Sequence, residues 1–124
     1  MEGEIITVSL ELDQAGLIWN PEIGDEVSQR SSLSRVSIFV DPQGLSPREL
    51  RASFVWLPTV EQLVEQFEAR QALIYHAGIT SSMIYEAVIR SSAGMIQTCA
   101  ASLRIAFGKA LKELLANHTS GELH

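Results

Sequence analysis

An apolar stripe near the C-terminal end constrains the fold of this chain more than any other feature. Its residues recur at intervals of three and four, the spacing that places side chains on one face of an α-helix. They are Leu103, Ala106, Phe107, Ala110, Leu111 and Leu114. The stripe predicts an amphipathic helix over 98–117, about 30 Å long at about 1.5 Å per residue, which is enough to span a small sheet.

The front and middle of the chain alternate apolar with polar residues, which is the period of a β-strand. The first such run covers 4–12, and 17–19 resumes it after a turn, so the two predict a hairpin. The run over 34–40 predicts another strand, and the polar stretch 22–34 before it predicts a loop. The runs over 73–77 and 83–89 predict a second hairpin.

Two helix-start signals lie in the middle of the chain. The segment 46–49 has the form of a capping box, with Ser46, a proline and Glu49 in the required order. Apolar residues nevertheless alternate over 48–56, and we favour a strand there over a helix. Thr59 with Gln62 three residues later predicts the start of a helix that ends near residue 70.

These elements predict an α+β fold, with an antiparallel sheet of four to six strands and two helices packed on one face in two layers. A chain of 124 residues has the usual length of one domain. We expect a single domain over 1–118 and a disordered tail over 119–124. The solitary Cys99 permits no disulfide within the chain, and we expect it to be a buried structural residue of the last helix.

The negative charge is concentrated at the front. Seven of the fifteen acidic residues lie in residues 1–29, which hold no Lys or Arg. Residues 30–124 contain the other eight acidic residues and all nine basic residues. We expect no secretory signal, because the first residues hold neither a basic cluster nor an apolar core. No apolar run approaches the roughly 18 residues that span a membrane. We therefore expect a cytoplasmic, bacterial protein without a membrane partner.

The chain contains no recognisable catalytic motif. It has no Walker-type glycine loop, Rossmann fingerprint, His-Glu-x-x-His, Cys-x-x-Cys or Gly-x-Ser-x-Gly sequence. We read the acidic residues Glu22, Asp25 and Glu26 as solvated loop charges, because they lack the spacing of a calcium loop. We predict no catalytic residue, cofactor or metal, and the composition favours a protein that is not an enzyme.

Our leading hypothesis is a small interaction or assembly module that forms a homodimer or binds another protein. The hypothesis rests on the absence of a recognisable catalytic cluster in the sequence and on a charged fraction of only 19%. The interface candidates are Trp19 and Trp56, which are large aromatic residues near prolines, and Gly108. A glycine inside a helix costs about 1 kcal/mol relative to alanine, so Gly108 indicates close packing.

Two alternatives stay open. The first is a single-stranded nucleic-acid-binding domain, in which aromatic rings stack on bases and cations hold phosphates, although the acidic front disfavours nucleic acid. Its candidates are Arg35, Arg48, Arg51, Phe54, Trp56, Arg104, Lys109 and Lys112. The second is a small-molecule-binding domain or weak enzyme centred on His76, with Tyr75 and Tyr85 beside it.

Overall fold

The computed structural model describes residues 2–122 of the chain. The chain divides after Pro58 into two compact units, which we call unit 1 and unit 2 in chain order. Unit 1 contains α1 (Glu2–Gln14), β1 (Glu26–Gln29), β2 (Ser32–Ile38), α2 (Pro47–Ser53) and β3 (Phe54–Trp56). Unit 2 contains α3 (Val60–Ala69), β4 (Leu73–Ile79), β5 (Tyr85–Ser91), β6 (Gly94–Ala100) and α4 (Leu103–Glu122).

The α+β class predicted from the sequence is confirmed for the described residues, but the sheet arrangement differs from the prediction. The six strands form two antiparallel sheets of three, in the orders β2-β1-β3 and β4-β5-β6, instead of one sheet of four to six strands. Four helices are present in the described range, where two were expected. The single domain over 1–118 stays a prediction.

The strand predicted over 4–12 is wrong, because these residues belong to α1. The buried side chains recur at helical intervals, and they are Ile5, Ile6, Val8, Ser9 and Leu12. Ser9 is a polar residue inside this buried stripe, so hydropathy alone does not reveal the helical period.

The predicted turn over 13–16 is the C-terminal end of α1. Gly16 has a φ of 104°, which a residue with a side chain rarely adopts. The N–H of Gly16 donates to the carbonyl of Asp13 at 3.1 Å, and that of Leu17 donates to the carbonyl of Leu12 at 3.0 Å. This pair of bonds closes a helix with a glycine cap, and 17–19 forms no strand.

The segment 46–56, which carries both a helix-start signal and a strand pattern, contains the helix α2 followed by the strand β3. The hydroxyl of Ser46 accepts the N–H of Glu49 at 3.2 Å, and Glu49 Oε1 accepts the N–H of Ser46 at 3.0 Å. Two hydrogen bonds with Ser46 lower the pKa of Glu49 below its ordinary value. The bond with the backbone of Ser46 has the larger effect, and the bond with its side chain has the smaller one. The strand favoured over 48–56 is therefore wrong for residues 48–53, because the capping box starts α2 at Pro47. Only residues 54–56 form a strand, which is β3.

The predicted loop over 22–34 contains the central strand of unit 1. β1 pairs antiparallel with β2 on one side and with β3 on the other. Val27 and Ser28 are buried, and Ser28 Oγ donates to the carbonyl of Arg35 at 2.7 Å. β2 matches most of the strand predicted over 34–40.

An aromatic cluster forms the core beside this sheet. The rings of Trp19 and Phe39 meet edge to face with centroids 5.4 Å apart, and Phe54 lies 6.3 and 6.4 Å from them. Trp19 is only 4% exposed, and its Nε1 donates to Asp25 Oδ2 at 2.8 Å. Burial of this tryptophan is therefore combined with a satisfied indole N–H.

Unit 2 has the predicted layout of a sheet with helices on one face, on a smaller scale. The helix predicted after Thr59 is confirmed as α3, with the capping box in place between Thr59 and Gln62. The predicted hairpin is confirmed as β4 and β5, and β6 extends it into a three-stranded meander. α4 packs on β5 and β6, and α3 packs against α4 and β4. Phe67 and Phe107 join the two helices with ring centroids 5.8 Å apart.

The last helix begins later than predicted. α4 starts at Leu103, where the N–H of Ile105 donates to Ser102 Oγ at 3.2 Å, and residues 98–100 belong to β6. Cys99 is consequently exposed on a strand, and the prediction of a buried helical cysteine is wrong. α4 runs to Glu122, and residues 123 and 124 of the predicted tail lie outside the described residues.

Candidate functional site

An apolar edge strand is the most unusual surface of unit 2. β4 lies at one edge of its sheet and pairs on one side only, with β5. It carries no Asp, Glu, Lys, Arg or Pro. Leu73, Tyr75 and Ile79 are each more than half exposed, at 57%, 65% and 51%. Natural sheets usually protect such an edge with charges, prolines or a covering element. β4 has no proline and none of these charged residues, and its contact with α3 leaves these three side chains exposed.

The other edge strand of unit 2, β6, likewise has no Asp, Glu, Lys, Arg or Pro, but a helix packs on it. α4 packs on β6, where Thr98 Oγ1 donates to the carbonyl of Ala106 at 2.6 Å and Lys109 Nζ to that of Cys99 at 3.4 Å. In unit 1, β2 carries the exposed Arg35, and β3 has only three residues. β4 is thus the edge in the described structure that is most open to pairing.

Gly78 lies within this edge strand, but the conformation and packing of the chain do not require glycine at this position. Its φ is not positive, so the backbone does not require glycine there. A Cβ at this position would meet the ring of His76 at 3.6 Å, an ordinary van der Waals contact. A glycine inside a strand frequently marks the place where another backbone approaches closely.

The histidine site predicted from the sequence is not assembled. His76 pairs with Val88 and lies on the open face of the sheet, where its Nε2 is 3.7 Å from Glu86 Oε1. Tyr85 is opposite Ile79, three residues from Val88 along β5, which places it on the other face. Tyr75 lies at an irregularity of the register and is exposed. The three side chains therefore do not converge.

The three interface candidates from the sequence lie elsewhere. Trp19 belongs to the buried aromatic cluster. Trp56 is half-buried against the same cluster, and Gly108 is buried within α4. The exposed apolar residues of β4 are the surface that sequence reasoning missed, although the absence of charge over 73–79 is visible in the sequence.

The nucleic-acid candidates are divided between the two units. Arg35 and Arg48 are exposed in unit 1, whereas Phe54 is half-buried against the aromatic cluster. The remaining cations lie on α4 of unit 2, and they are Arg104, Lys109 and Lys112. Arg51, Phe54 and Trp56 line one cavity of unit 1, but no surface within one unit brings the whole set together.

The arginines of unit 1 are instead held by hydrogen bonds. Arg51 Nε donates to the carbonyl of Trp19 at 2.6 Å. Arg30 Nε donates to the carbonyl of Arg51 at 2.8 Å, and its two terminal nitrogens bind the carboxylate of Asp13 at 3.0 and 3.1 Å. This arrangement orients both guanidinium groups, because each is fixed through its Nε to a backbone carbonyl.

The described residues contain no group of three or more His, Cys, Asp or Glu side chains that could hold a metal ion. Of the predicted loop acids, Asp25 is buried, and its Oδ2 accepts the N–H of Glu22 at 3.0 Å in addition to the Trp19 indole. None of the helices within the described part of the chain is both long and apolar enough to cross a membrane.

Comparison with protein-family models, with curated proteins and with solved structures gives no match for this chain.

Proposed function

We propose that this protein is a small assembly module that self-associates through β4. In the proposed dimer, β4 of one copy pairs antiparallel with β4 of a second copy, and the two sheets of unit 2 join into one sheet of six strands. The observation that carries the proposal is a seven-residue edge strand without Asp, Glu, Lys or Arg whose large apolar side chains are exposed.

A second copy of the chain suits this strand better than a charged partner does. Antiparallel pairing about a two-fold axis places each residue of the strand opposite a residue of the same strand. Like charges directly opposite each other destabilise such pairs, and β4 brings no Asp, Glu, Lys or Arg to the axis. Self-pairing therefore satisfies the free backbone groups of the edge without electrostatic repulsion.

The centre of the proposed interface lies at the small residues of the strand. The register irregularity falls between Ile74 and His76, which leaves 76–79 as the regular stretch. Ala77 and Gly78 permit a close approach of the two backbones. Gly78 in particular has no role in the packing of its own chain that a methyl group would disrupt. Ile79 then packs across the new strand pair.

Met83 and Ile84 enlarge the apolar surface at the end of β4. They are 74% and 43% exposed, and the loop that holds them is closed by the bond from the N–H of Thr80 to the carbonyl of Ile84, at 2.8 Å. A contiguous exposed apolar surface of this kind marks an interaction site more often than a free surface.

Sedimentation velocity on the full chain tests the proposal. We expect the wild type to sediment as a dimer, with twice the monomer mass of 13.6 kDa, at tens of micromolar. Ile79→Lys places a charge close to the two-fold axis on both strands and should produce a monomer. The matched control is Ile38→Lys, because Ile38 is 54% exposed on the edge strand β2 of unit 1 and Ile79 is 51% exposed.

Loss of association in Ile79→Lys and its retention in Ile38→Lys support pairing through β4. A wild type that is monomeric at these concentrations contradicts the proposal. So does equal loss in the two variants, because the effect is then one of added charge at any edge strand.

The predicted cytoplasmic location is part of the same proposal. Cys99 is an exposed free thiol, and such a thiol stays reduced in the cytosol but oxidises readily in an extracellular compartment. Fractionation of the source cells, followed by detection with an antibody, tests the location.

A further inference from the structure

Unit 1 contains a cavity of about 240 Å³ that takes no part in the proposed self-association. Its apolar wall is formed by aromatic and aliphatic side chains, among them Trp19, Phe54 and Trp56. Its polar wall is formed by Ser9, Asp13 and the guanidinium groups of Arg30 and Arg51. The cavity thus combines an apolar body with a charged end, as small-molecule sites do.

The regular elements of unit 1 bring these side chains together. Ser9 and Asp13 are four residues apart on α1 and therefore share one face of the helix. Phe54 and Trp56 are two residues apart on β3 and share one face of the strand. α1 packs against β3, so the two faces can supply opposite parts of the wall.

Two residues that line the cavity hold polar atoms that are buried and have no hydrogen-bond partner among the described residues. These atoms are the hydroxyl of Ser9, a residue that is 1% exposed, and Nε1 of Trp56. Buried polar groups are nearly always hydrogen-bonded, since an unpaired one loses its hydration without compensation. The indole N–H can only donate, so the missing partner of Trp56 must be an acceptor.

The charges of the wall favour an anion. Arg30 and Arg51 contribute two positive charges and Asp13 one negative charge, which leaves one positive charge in excess. Both oxygens of Asp13 are already bound by Arg30. Arg51 uses Nε for the carbonyl of Trp19 and Nη2 for Asn20, while its Nη1 has no partner among the described residues. A guanidinium group with free N–H bonds is the usual partner of a carboxylate.

We infer that this cavity binds a small carboxylate with an apolar body. In the proposed complex the carboxylate oxygens accept from the Arg51 guanidinium, and the side chains of Ser9 and Trp56 turn so that their buried donors also reach the carboxylate. The body of the ligand lies among the aromatic rings. An apolar cavity of about 150 Å³ holds benzene. A volume of about 240 Å³ therefore suits one aromatic ring, or a branched aliphatic chain of similar size, with its carboxylate.

Benzoate and phenylacetate are suitable probes, and the two tryptophans of the chain supply the signal. Both Trp19 and Trp56 line the cavity, so a bound ligand changes their fluorescence directly. We expect a saturable change with at least one of these carboxylates on the full chain. Benzamide is the neutral control of the same shape as benzoate, and we expect it to bind about tenfold more weakly.

A matched pair of serine variants tests the contacts. Ser9→Ala removes an unpaired hydroxyl of the cavity wall and should weaken carboxylate binding several-fold. Ser28→Ala removes a buried hydroxyl that already donates to the carbonyl of Arg35 and lies outside the wall, so the affinity should stay within about twofold of the wild type. The comparison of benzoate with benzamide requires no variant and holds even where a substitution disturbs folding.

The outcomes are distinct. Preference for the carboxylate, with weakening by Ser9→Ala alone, supports the site. The inference is overturned where neither carboxylate gives a saturable change up to about 10 mM, since affinities weaker than this carry no specific recognition. Equal affinity for benzamide, preference for benzylamine, or an equal effect of the two serine variants also overturns it. The result is independent of the oligomeric state, which the sedimentation experiment measures separately.

Discussion

Replacing each of the two buried serines of unit 1 by alanine tests how their hydroxyls are satisfied. Ser28 is fully buried on β1, and its hydroxyl donates to the carbonyl of Arg35 at 2.7 Å. Ser9 is 1% exposed on α1, and its hydroxyl has no partner among the described residues. The same chemical change therefore removes a hydrogen bond at one site and an unpaired polar group at the other.

The two substitutions should change the free energy of unfolding in opposite directions. Loss of the Ser28 bond should lower it by about 1 kcal/mol, the usual net value of an internal hydrogen bond. Removal of the unpaired Ser9 hydroxyl should raise it by about 1 kcal/mol, because desolvation is relieved and alanine is the better helix former. The expected difference between the variants is about 2 kcal/mol.

Urea unfolding followed by tryptophan fluorescence measures this difference in unit 1, because both tryptophans lie there. With a denaturant slope of about 1–2 kcal/mol per molar urea, the two midpoints should differ by about 1–2 M. A Ser9→Ala variant that is destabilised as much as Ser28→Ala refutes the reasoning. Such a result means that the Ser9 hydroxyl is hydrogen-bonded in solution, through an internal water for example.

Two further predictions follow from the hydrogen bonds of unit 1. Trp19→Phe should lower the free energy of unfolding by about 2 kcal/mol, because it removes one charge-assisted hydrogen bond from the buried carboxylate of Asp25. Trp56→Phe removes an unpaired N–H and should cost less than about 0.5 kcal/mol. Circular dichroism during urea unfolding compares the two variants, and equal losses contradict the prediction. Because the folded state lowers the pKa of Glu49, its charge contributes stability above the unfolded pKa, and this contribution is lost as the pH falls through the folded pKa. The urea midpoint of the wild type should therefore exceed that of Glu49→Gln at pH 7 and approach it in acid below the folded pKa of Glu49, and a difference that is independent of pH contradicts the assignment.

The sequence signals for helix starts and hairpins predicted the structure correctly where it depends on interactions between residues close in sequence. The capping boxes at Ser46 and Thr59 both form, and β4 and β5 form the predicted hairpin. These features depend on bonds between residues close in sequence, so their pattern is readable without tertiary contacts.

The errors arose in segments whose apolar residues fit both the helical repeat and strand alternation, where burial in the folded structure determines which element forms. Residues 4–12 satisfy strand alternation, and the helical stripe in the same segment includes Ser9, a polar residue that the cavity wall explains only once the fold is known. The stripe of the last helix predicted α4, but its start at Leu103 was missed because 95–100 continue the apolar pattern as β6. Propensity is a weak guide in such overlaps.

The candidate sites were less predictable than the fold. The cavity of unit 1 joins residues from α1, β3 and α2 that are up to about 47 positions apart in sequence (residues 9 to 56), and it could not be inferred while 4–12 was read as a strand. The uncharged run over 73–79 was visible in the sequence, yet its meaning depends on β4 lying at the edge of its sheet. The sequence instead suggested Trp19, Trp56 and Gly108 as the interface, and of these Trp19 belongs to the core.

Hydrogen–deuterium exchange at two protein concentrations tests the proposed self-association most directly. The backbone amides of β4 have a free edge in a single chain and a partner strand in the dimer. Between about 1 µM and 100 µM, a concentration-dependent dimer should slow the exchange of peptides that cover 73–79, while peptides that cover β2, the edge strand of unit 1, exchange at an unchanged rate. Exchange over 73–79 that is the same at both concentrations, in a sample whose measured mass rises to that of a dimer, contradicts pairing through β4.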